Sequence, residues 1–294
     1  MPSHLLTPAD ELRWIVHSYD QLQQVRRATG ERIVAAALTI ASTGPKQPPA
    51  DILRELQRSD VQGPVPVLGR LYQLLWEQEN ALSFAVERRI ETHPAWAWLG
   101  RVRGVGPTVG ARLLARLDVR SAGRPVAFWE RCGLATVSAA EYRCRTCGLK
   151  SVVPAGQRVS GKHAPPGARS VCAGSLEPVG TSARVVQPRS DPTSGCRYDV
   201  QAKRLCYVIG QSLLRAGGKY AEYYRLEAER LDRDRPFWRP ERKELAGMRK
   251  MEKLFLTHLW ITWRQAESLK VGAPSPNREA MQIPAPGPWE MVDT

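Results

Sequence analysis

The sequence predicts a mainly α protein with one small cysteine-bearing insert, on three observations. Apolar residues recur three and four apart over long stretches at both ends of the chain, the spacing of a single helix face. A glycine turn, Gly104-Val105-Gly106, joins two short apolar segments near residue 100. Residues 142–198 break the pattern: they are rich in Gly, Pro, Ser and Arg, poor in long apolar side chains, and hold four of the six cysteines.

The first helix is expected to start at Thr7-Pro8-Ala9-Asp10, where Thr7 can cap, Pro8 suits the first helical position and Asp10 favours the positive end of the dipole. Its apolar face reads Leu12, Ile15, Tyr19, Leu22 and Val25, and it runs to about Ile40, before Thr43-Gly44-Pro45 and Pro48-Pro49 break it. A second long helix is expected over 68–90, with Leu71, Leu74, Leu75, Ala81, Phe84 and Ala85 as its apolar face. The two form a helical hairpin over 1–93, either as a plain core pair or as the seam of a homodimer. Residues 94–141 form the unit around the glycine turn, 142–180 the insert, and 181–269 a linker followed by a C-terminal helical bundle. The Pro-rich stretch 270–294 is expected to be disordered.

The formal net charge is +14 and the pI about 9.9. Such a surplus favours polyanions, because each Lys or Arg placed on a phosphate releases a counterion. Eleven Lys/Arg against three Asp/Glu fall within 142–204, a surplus of eight. No apolar run approaches the roughly 18 residues of a membrane span, and the N-terminus has no basic region followed by an apolar one. A cytoplasmic, nucleoid-associated location is expected, with no membrane partner. In that setting six cysteines point to metal binding or burial, not to disulfides.

The segment Leu99–Leu114 has a mechanical layout. Val102 ends one apolar stretch, Gly104 and Gly106 permit a tight turn, Val105 plugs inward, and Pro107-Thr108 open the next helix, whose first backbone N–H groups lack intrahelical acceptors. This is the pattern of a helix-hairpin-helix, which grips a phosphate of DNA without reading bases. The expected DNA-binding set is Arg101, Arg103, Gly104, Val105, Gly106, Thr108, Arg112 and Arg116, with the arginines adding charge-assisted contacts.

In the insert, Cys144-Arg145-Thr146-Cys147-Gly148 is a C-x2-C knuckle supplying two thiolates. Tetrahedral zinc takes four ligands, and His163 and Cys172 complete a Cys3His set, with Cys196 as the alternative to His163. A segment this short and polar needs a metal to fold, and a filled set makes a structural Zn2+ site. Cys132 and Cys206 sit in apolar helical contexts and are expected to be buried thiols; His258 is expected to pack in the core. The stretch Glu222–Glu229, alternating with Arg225 and Arg230, reads as a solvated helix with ion pairs.

Val102–Leu117, followed by Phe128-Trp129 and Cys132-Gly133-Leu134-Ala135, resembles the C-terminal domain of the DEDD transposases of the insertion-sequence-110 family. Ser194-Gly195, then Tyr198–Lys203 and Ile209–Leu213, occupies the place of that family's Ser-Gly pair and long helix, and Met251–Trp260 is similar to the closing helix of compact relatives. The resemblance covers roughly 95–268. The insert, Cys144–Ser175, resembles small Cys-x2-Cys…His…Cys-x-Gly-Ser fingers of mobile DNA. The resemblance implies DNA binding in transposition or recombination, and a catalytic serine at Ser194 flanked by Arg189 and Arg197. It also implies an RNase-H-like domain with four acidic ligands, for which a helix starting near residue 8 leaves no room. Strand transfer through Ser194 would therefore require a partner carrying that nuclease domain, and otherwise Ser194 is a turn residue in a linker. Structured RNA is the other polyanion the basic insert suits.

Overall fold

The structure is a computed structural model, which describes residues 8–40, 48–58, 64–154, 159, 163–164, 167, 170–186, 198–271 and 286–293. It is mainly α, with one three-stranded sheet among the described residues. No described helix is long and apolar enough to cross a membrane. The expected cap Thr7 lies outside the described residues. The chain forms two compact units: Met1–Ala97 with Gly106–Ala115, and Trp98–Val105 with Arg116–Thr294. The stretch expected to be one unit, 94–141, is thus shared between them.

In the first unit, α1 (Pro8–Ile40) and α3 (Pro66–Ile90) run antiparallel: Glu11 pairs with Arg89, Gln23 and Arg26 with Glu79, and Ile33 packs on Tyr72. The short α2 (Pro49–Leu56) contributes Ile52 and Leu56 to the same core. Gly30 makes the close approach possible, since a Cβ there would sit 3.0 Å from both Leu53 and Tyr72. The helices form as predicted, but the buried face of α3 does not. Leu71, Leu74, Ala81 and Phe84 are exposed, while Tyr72, Gln73, Glu79, Val86 and Ile90 are buried. On α1 the stripe passes through Leu12, Val16, Tyr19 and Ile33, leaving Val25 exposed. The cause is a buried polar cluster that apolar spacing cannot show. Glu79 accepts from Arg26 and, at 2.8 Å, from Gln23, while Arg26 donates to the Tyr72 hydroxyl at 2.9 Å and lies over the Tyr72 and Trp76 rings. Burial pushes the Glu79 carboxyl up, and the hydrogen bonds from Arg26 and Gln23 outweigh it, holding it below the usual carboxylate range. The last helix of this unit is α5 (Pro107–Leu114), which buries Gly110, Ala111, Leu113 and Leu114.

The second unit contains α6 (Pro125–Arg131), the strands β1 (Val137–Cys144), β2 (Lys150–Pro154) and β3 (Leu176–Val186), and the bundle α7 (Val200–Ala216), α8 (Lys219–Asp234) and α9 (Pro240–Ala266). The remaining short helix, α4 (Trp96–Leu99), is cut by the boundary between the units. Asp199 caps α7 by accepting from the N–H groups of Gln201 and Ala202. Gly217, at φ +71°, closes α7 in the left-handed conformation that glycine tolerates. The bundle core is aromatic: Trp98, Tyr220, Phe255 and Trp260 are almost fully buried. His258 is 2% exposed, as expected of a core histidine. Its Nε2 donates to the Pro286 carbonyl at 3.1 Å, and its Nδ1 lies 2.8 Å from the Tyr220 hydroxyl. Cys132 and Cys206 are buried thiols, also as expected. Glu227, expected on a solvated face, is 1% exposed and is held by Arg230 and Lys250. Within the tail expected to be disordered, a 3-10 turn at Pro288–Met291 docks instead, with Met291 buried and the Pro288 carbonyl accepting from Trp98 Nε1 at 2.9 Å.

Candidate metal centre and glycine turn

The insert is a small antiparallel sheet in the order β2-β1-β3, extending from Val137 to Val186 and so beyond the 142–180 expected for it. The knuckle is the turn between β1 and β2. Cys144 N–H donates to the Leu149 carbonyl at 2.9 Å and Gly148 N–H to the Cys144 carbonyl at 3.0 Å, with Gly148 at φ +71°. Strand register supplies the rest. Cys144 pairs with Leu176 across β1 and β3, which sets Cys172, four residues earlier, beside the knuckle. Cys172 N–H donates to the His163 carbonyl at 2.7 Å and draws that histidine in.

The four expected ligands, Cys144, Cys147, His163 and Cys172, converge, with ligand atoms all within 4.8 Å of one another. Cys144 Sγ and Cys172 Sγ are 3.9 Å apart. Two thiolates on a tetrahedral zinc stand about 3.8 Å apart, from a Zn–S bond of about 2.3 Å. Cys147 Sγ lies 3.2 Å from His163 Nε2. The surroundings suit thiolate ligands. Gly174 N–H donates to Cys172 Sγ at 3.3 Å. The backbone N–H of Cys147 draws the Cys144 thiol down to about 6, helped by Thr146 N–H and the Cys147 and His163 side chains. Gly174 must be glycine, because a Cβ there would meet Thr146 Oγ1 at 2.3 Å and Cys144 Sγ at 2.8 Å. This Cys3His cluster could hold a metal ion. Cys196, the alternative fourth ligand, and Ser194, with Arg189 and Arg197, lie outside the described residues.

The residues expected to grip DNA divide into two groups. Gly104 has φ +97°, and its carbonyl accepts from Ser212 Oγ at 2.6 Å. A Cβ there would lie 2.9 Å from the Ser212 carbonyl, so glycine is required for both the turn and the packing. Val102 and Val105 are buried, and Arg101 and Arg103 on the same turn are exposed. Arg101 lies 5.9 Å from the Trp289 ring centre. The chain continues into Gly106, exposed and with open space where a Cβ would project. Gly106 begins α5, whose first intrahelical bond is Gly110 N–H to the Gly106 carbonyl at 2.9 Å, so Thr108 N–H has no helical acceptor.

Arg112 and Arg116 belong to the other group. Arg112 donates to Asp20 at 2.6 Å and to Gln23 at 2.9 Å, and stacks 4.8 Å from the Tyr19 ring centre. Arg116 pairs with Asp199 at 3.5 Å. Both guanidinium groups are committed to the fold of their own unit. The Ser212 clamp on Gly104 was missed from sequence, since nothing local ties a serine on α7 to a turn 108 residues earlier. A scan of protein-family models, a search of curated proteins and a search of solved structures each find no match to this chain.

Proposed function

We propose that this chain is a DNA-backbone-binding protein whose finger is held by a structural zinc ion. The observation that carries the DNA reading is the turn Arg101–Val105. Its glycine is locked at positive φ, its valines are buried, and its two arginines are left in solvent. The chain then enters α5 through an exposed glycine and an N–H without a helical acceptor, which is a donor for a phosphate oxygen. With Arg112 and Arg116 engaged elsewhere, the candidates for phosphate binding are Arg101 and Arg103 on the turn in one unit and, taken separately, Gly106 and Thr108 at the start of α5 in the other. The resemblance to DEDD transposases is the support for placing this binding in transposition or recombination.

Zinc is favoured by the donors. Three thiolates and an imidazole on a site of near-tetrahedral spacing suit Zn2+ and leave no open position. Cys144, Cys147, His163 and Cys172 would hold it, and its contribution is cohesion of the sheet.

Arg103→Glu tests the DNA reading. Duplex binding should weaken, and the slope of log affinity against log salt should fall by about one for each phosphate the protein no longer neutralises. A wild-type chain without measurable duplex affinity at physiological salt overturns it. Metal analysis of the purified chain tests the ion, with zinc expected in the wild type and absent after Cys144→Ser.

A further inference from the structure

The junction of α8 and α9 carries a feature the DNA-backbone reading leaves unused. The sequence there is Arg233-Asp234-Arg235-Pro236-Phe237-Trp238-Arg239-Pro240-Glu241-Arg242-Lys243. Phe237 is 99% exposed. A lone exposed apolar side chain is ordinary, but its company here is not. Arg233, Arg235, Arg239 and Arg242 are all exposed, and among the described residues no carboxylate pairs with any of them. The local acids are committed elsewhere: Asp232 to Lys243 at 2.7 Å and Asp234 to Arg230 at 2.7 Å, leaving Glu241 as the acid at the tip.

The tip is braced. Trp238 N–H donates to the Arg235 carbonyl at 3.0 Å, and Arg242 and Lys243 N–H groups donate to the Arg239 carbonyl at 3.0 and 3.2 Å. Pro236 and Pro240 fix two further backbone angles. Arg242 and Arg235 lie 4.0 and 5.7 Å from the Trp238 ring centre, so that ring is covered by guanidinium groups. Phe237 is thus the bare ring of a rigid, arginine-rimmed projection.

We propose that this tip is a second nucleic-acid contact, in which Phe237 stacks on an unpaired nucleobase while the surrounding arginines hold the flanking phosphates. Base–aromatic stacking needs one open ring face, and a polyanion satisfies several unpaired guanidinium groups at once. A bilayer fits less well, because one phenyl ring is the tip's whole exposed aromatic surface, Trp238 being covered. The inference goes beyond the glycine turn, which contacts backbone only, but it shares the premise that the chain binds nucleic acid.

The test uses the full chain with labelled oligonucleotides of about 20 residues, long enough for typical single-strand sites: single-stranded DNA, single-stranded RNA and paired duplex. Phe237→Ala should weaken single-strand binding about ten-fold, the order contributed by one base–aromatic stack. Duplex binding should stay within about two-fold, and Phe237→Trp should restore the loss with its indole fluorescence quenched on binding. Whichever single strand binds tighter identifies the source of the base. The proposal is overturned if Phe237→Ala equals the wild type on single strands, if it weakens duplex and single strands alike, or if its loss appears on anionic phosphatidylserine vesicles instead. A wild type that binds no nucleic acid overturns this proposal and the DNA reading together. Duplex binding that depends on Arg103 but shows no effect of Phe237 overturns this one alone.

Discussion

The three-stranded finger and the α7–α9 bundle belong to one unit and are held together by different means. In the bundle, Trp98, Tyr220, Phe255, Leu259 and Trp260 are all buried to 2% exposure or less. In the finger, Ala139 and Cys144 are the only apolar residues buried to that degree among those described. Its exposed ion pair, Arg145 with Glu177, contributes little beside solvent. Hydrophobic burial supports the first region, while the second, on the zinc reading proposed above, depends on an ion held by four side chains that strand register gathers. The two should therefore fail under different treatments.

The largest expected effect is on the finger. On the proposed zinc site, chelation or Cys144→Ser should remove a binding free energy on the order of 10 kcal/mol that doubles as folding free energy. Limited proteolysis should then cut within 137–186, while the near-ultraviolet signal of the buried tryptophans persists. Simultaneous loss of both would show that the finger and bundle fold as one. The reciprocal experiment is Trp260→Ala. It removes a side chain 1% exposed whose Nε1 donates to the Ala122 carbonyl at 2.7 Å, and should cost about 3–5 kcal/mol by urea unfolding. Zinc content should be unchanged at low denaturant, and a variant that lost both would erase the contrast.

The same contrast explains what could be read in advance. Apolar spacing marked the helices, because a helix face is a local property of sequence. The four-residue Cys3His cluster was legible because C-x2-C and a nearby His and Cys are sparse signals in a polar stretch. The strands were not, since β1 buries Ala139 and Cys144, leaves Glu141 half-buried and exposes Arg143, with no bulky alternation to mark it. The role of Arg112 was invisible for another reason. Its partners Asp20 and Gln23 are about 90 residues away, so a basic residue beside a glycine turn read as a phosphate ligand. The buried face of α3 was misread because its centre is polar, built around Glu79. The Arg235–Arg242 tip went unmarked in the sequence, because only exposure separates a bare ring such as Phe237 from a packed one.

The smallest effect separates the two regions by pH. Glu252 on α9 is 5% exposed, its Oε1 has no hydrogen-bond partner, and it lies against Gly210, where a Cβ would sit 2.8 Å away. Burial raises its carboxyl to about 7 against the partial counterpull of Arg249 and Lys203, and the buried Cys206 thiol is pushed up in turn by Cys132, burial and Glu252. In the unfolded chain Glu252 titrates near about 4.3. Between that value and about 7 the folded form holds a proton that the unfolded form has lost. Bundle stability is therefore full below the lower value, falls as pH rises between the two, and levels off above, by about 3–4 kcal/mol in all. Glu252→Gln should flatten that slope, measured by urea unfolding at pH 5 and pH 8, and should leave zinc content untouched at both. A slope that survives the substitution would move the proton to another group and leave the bundle's pH response unexplained by this carboxyl.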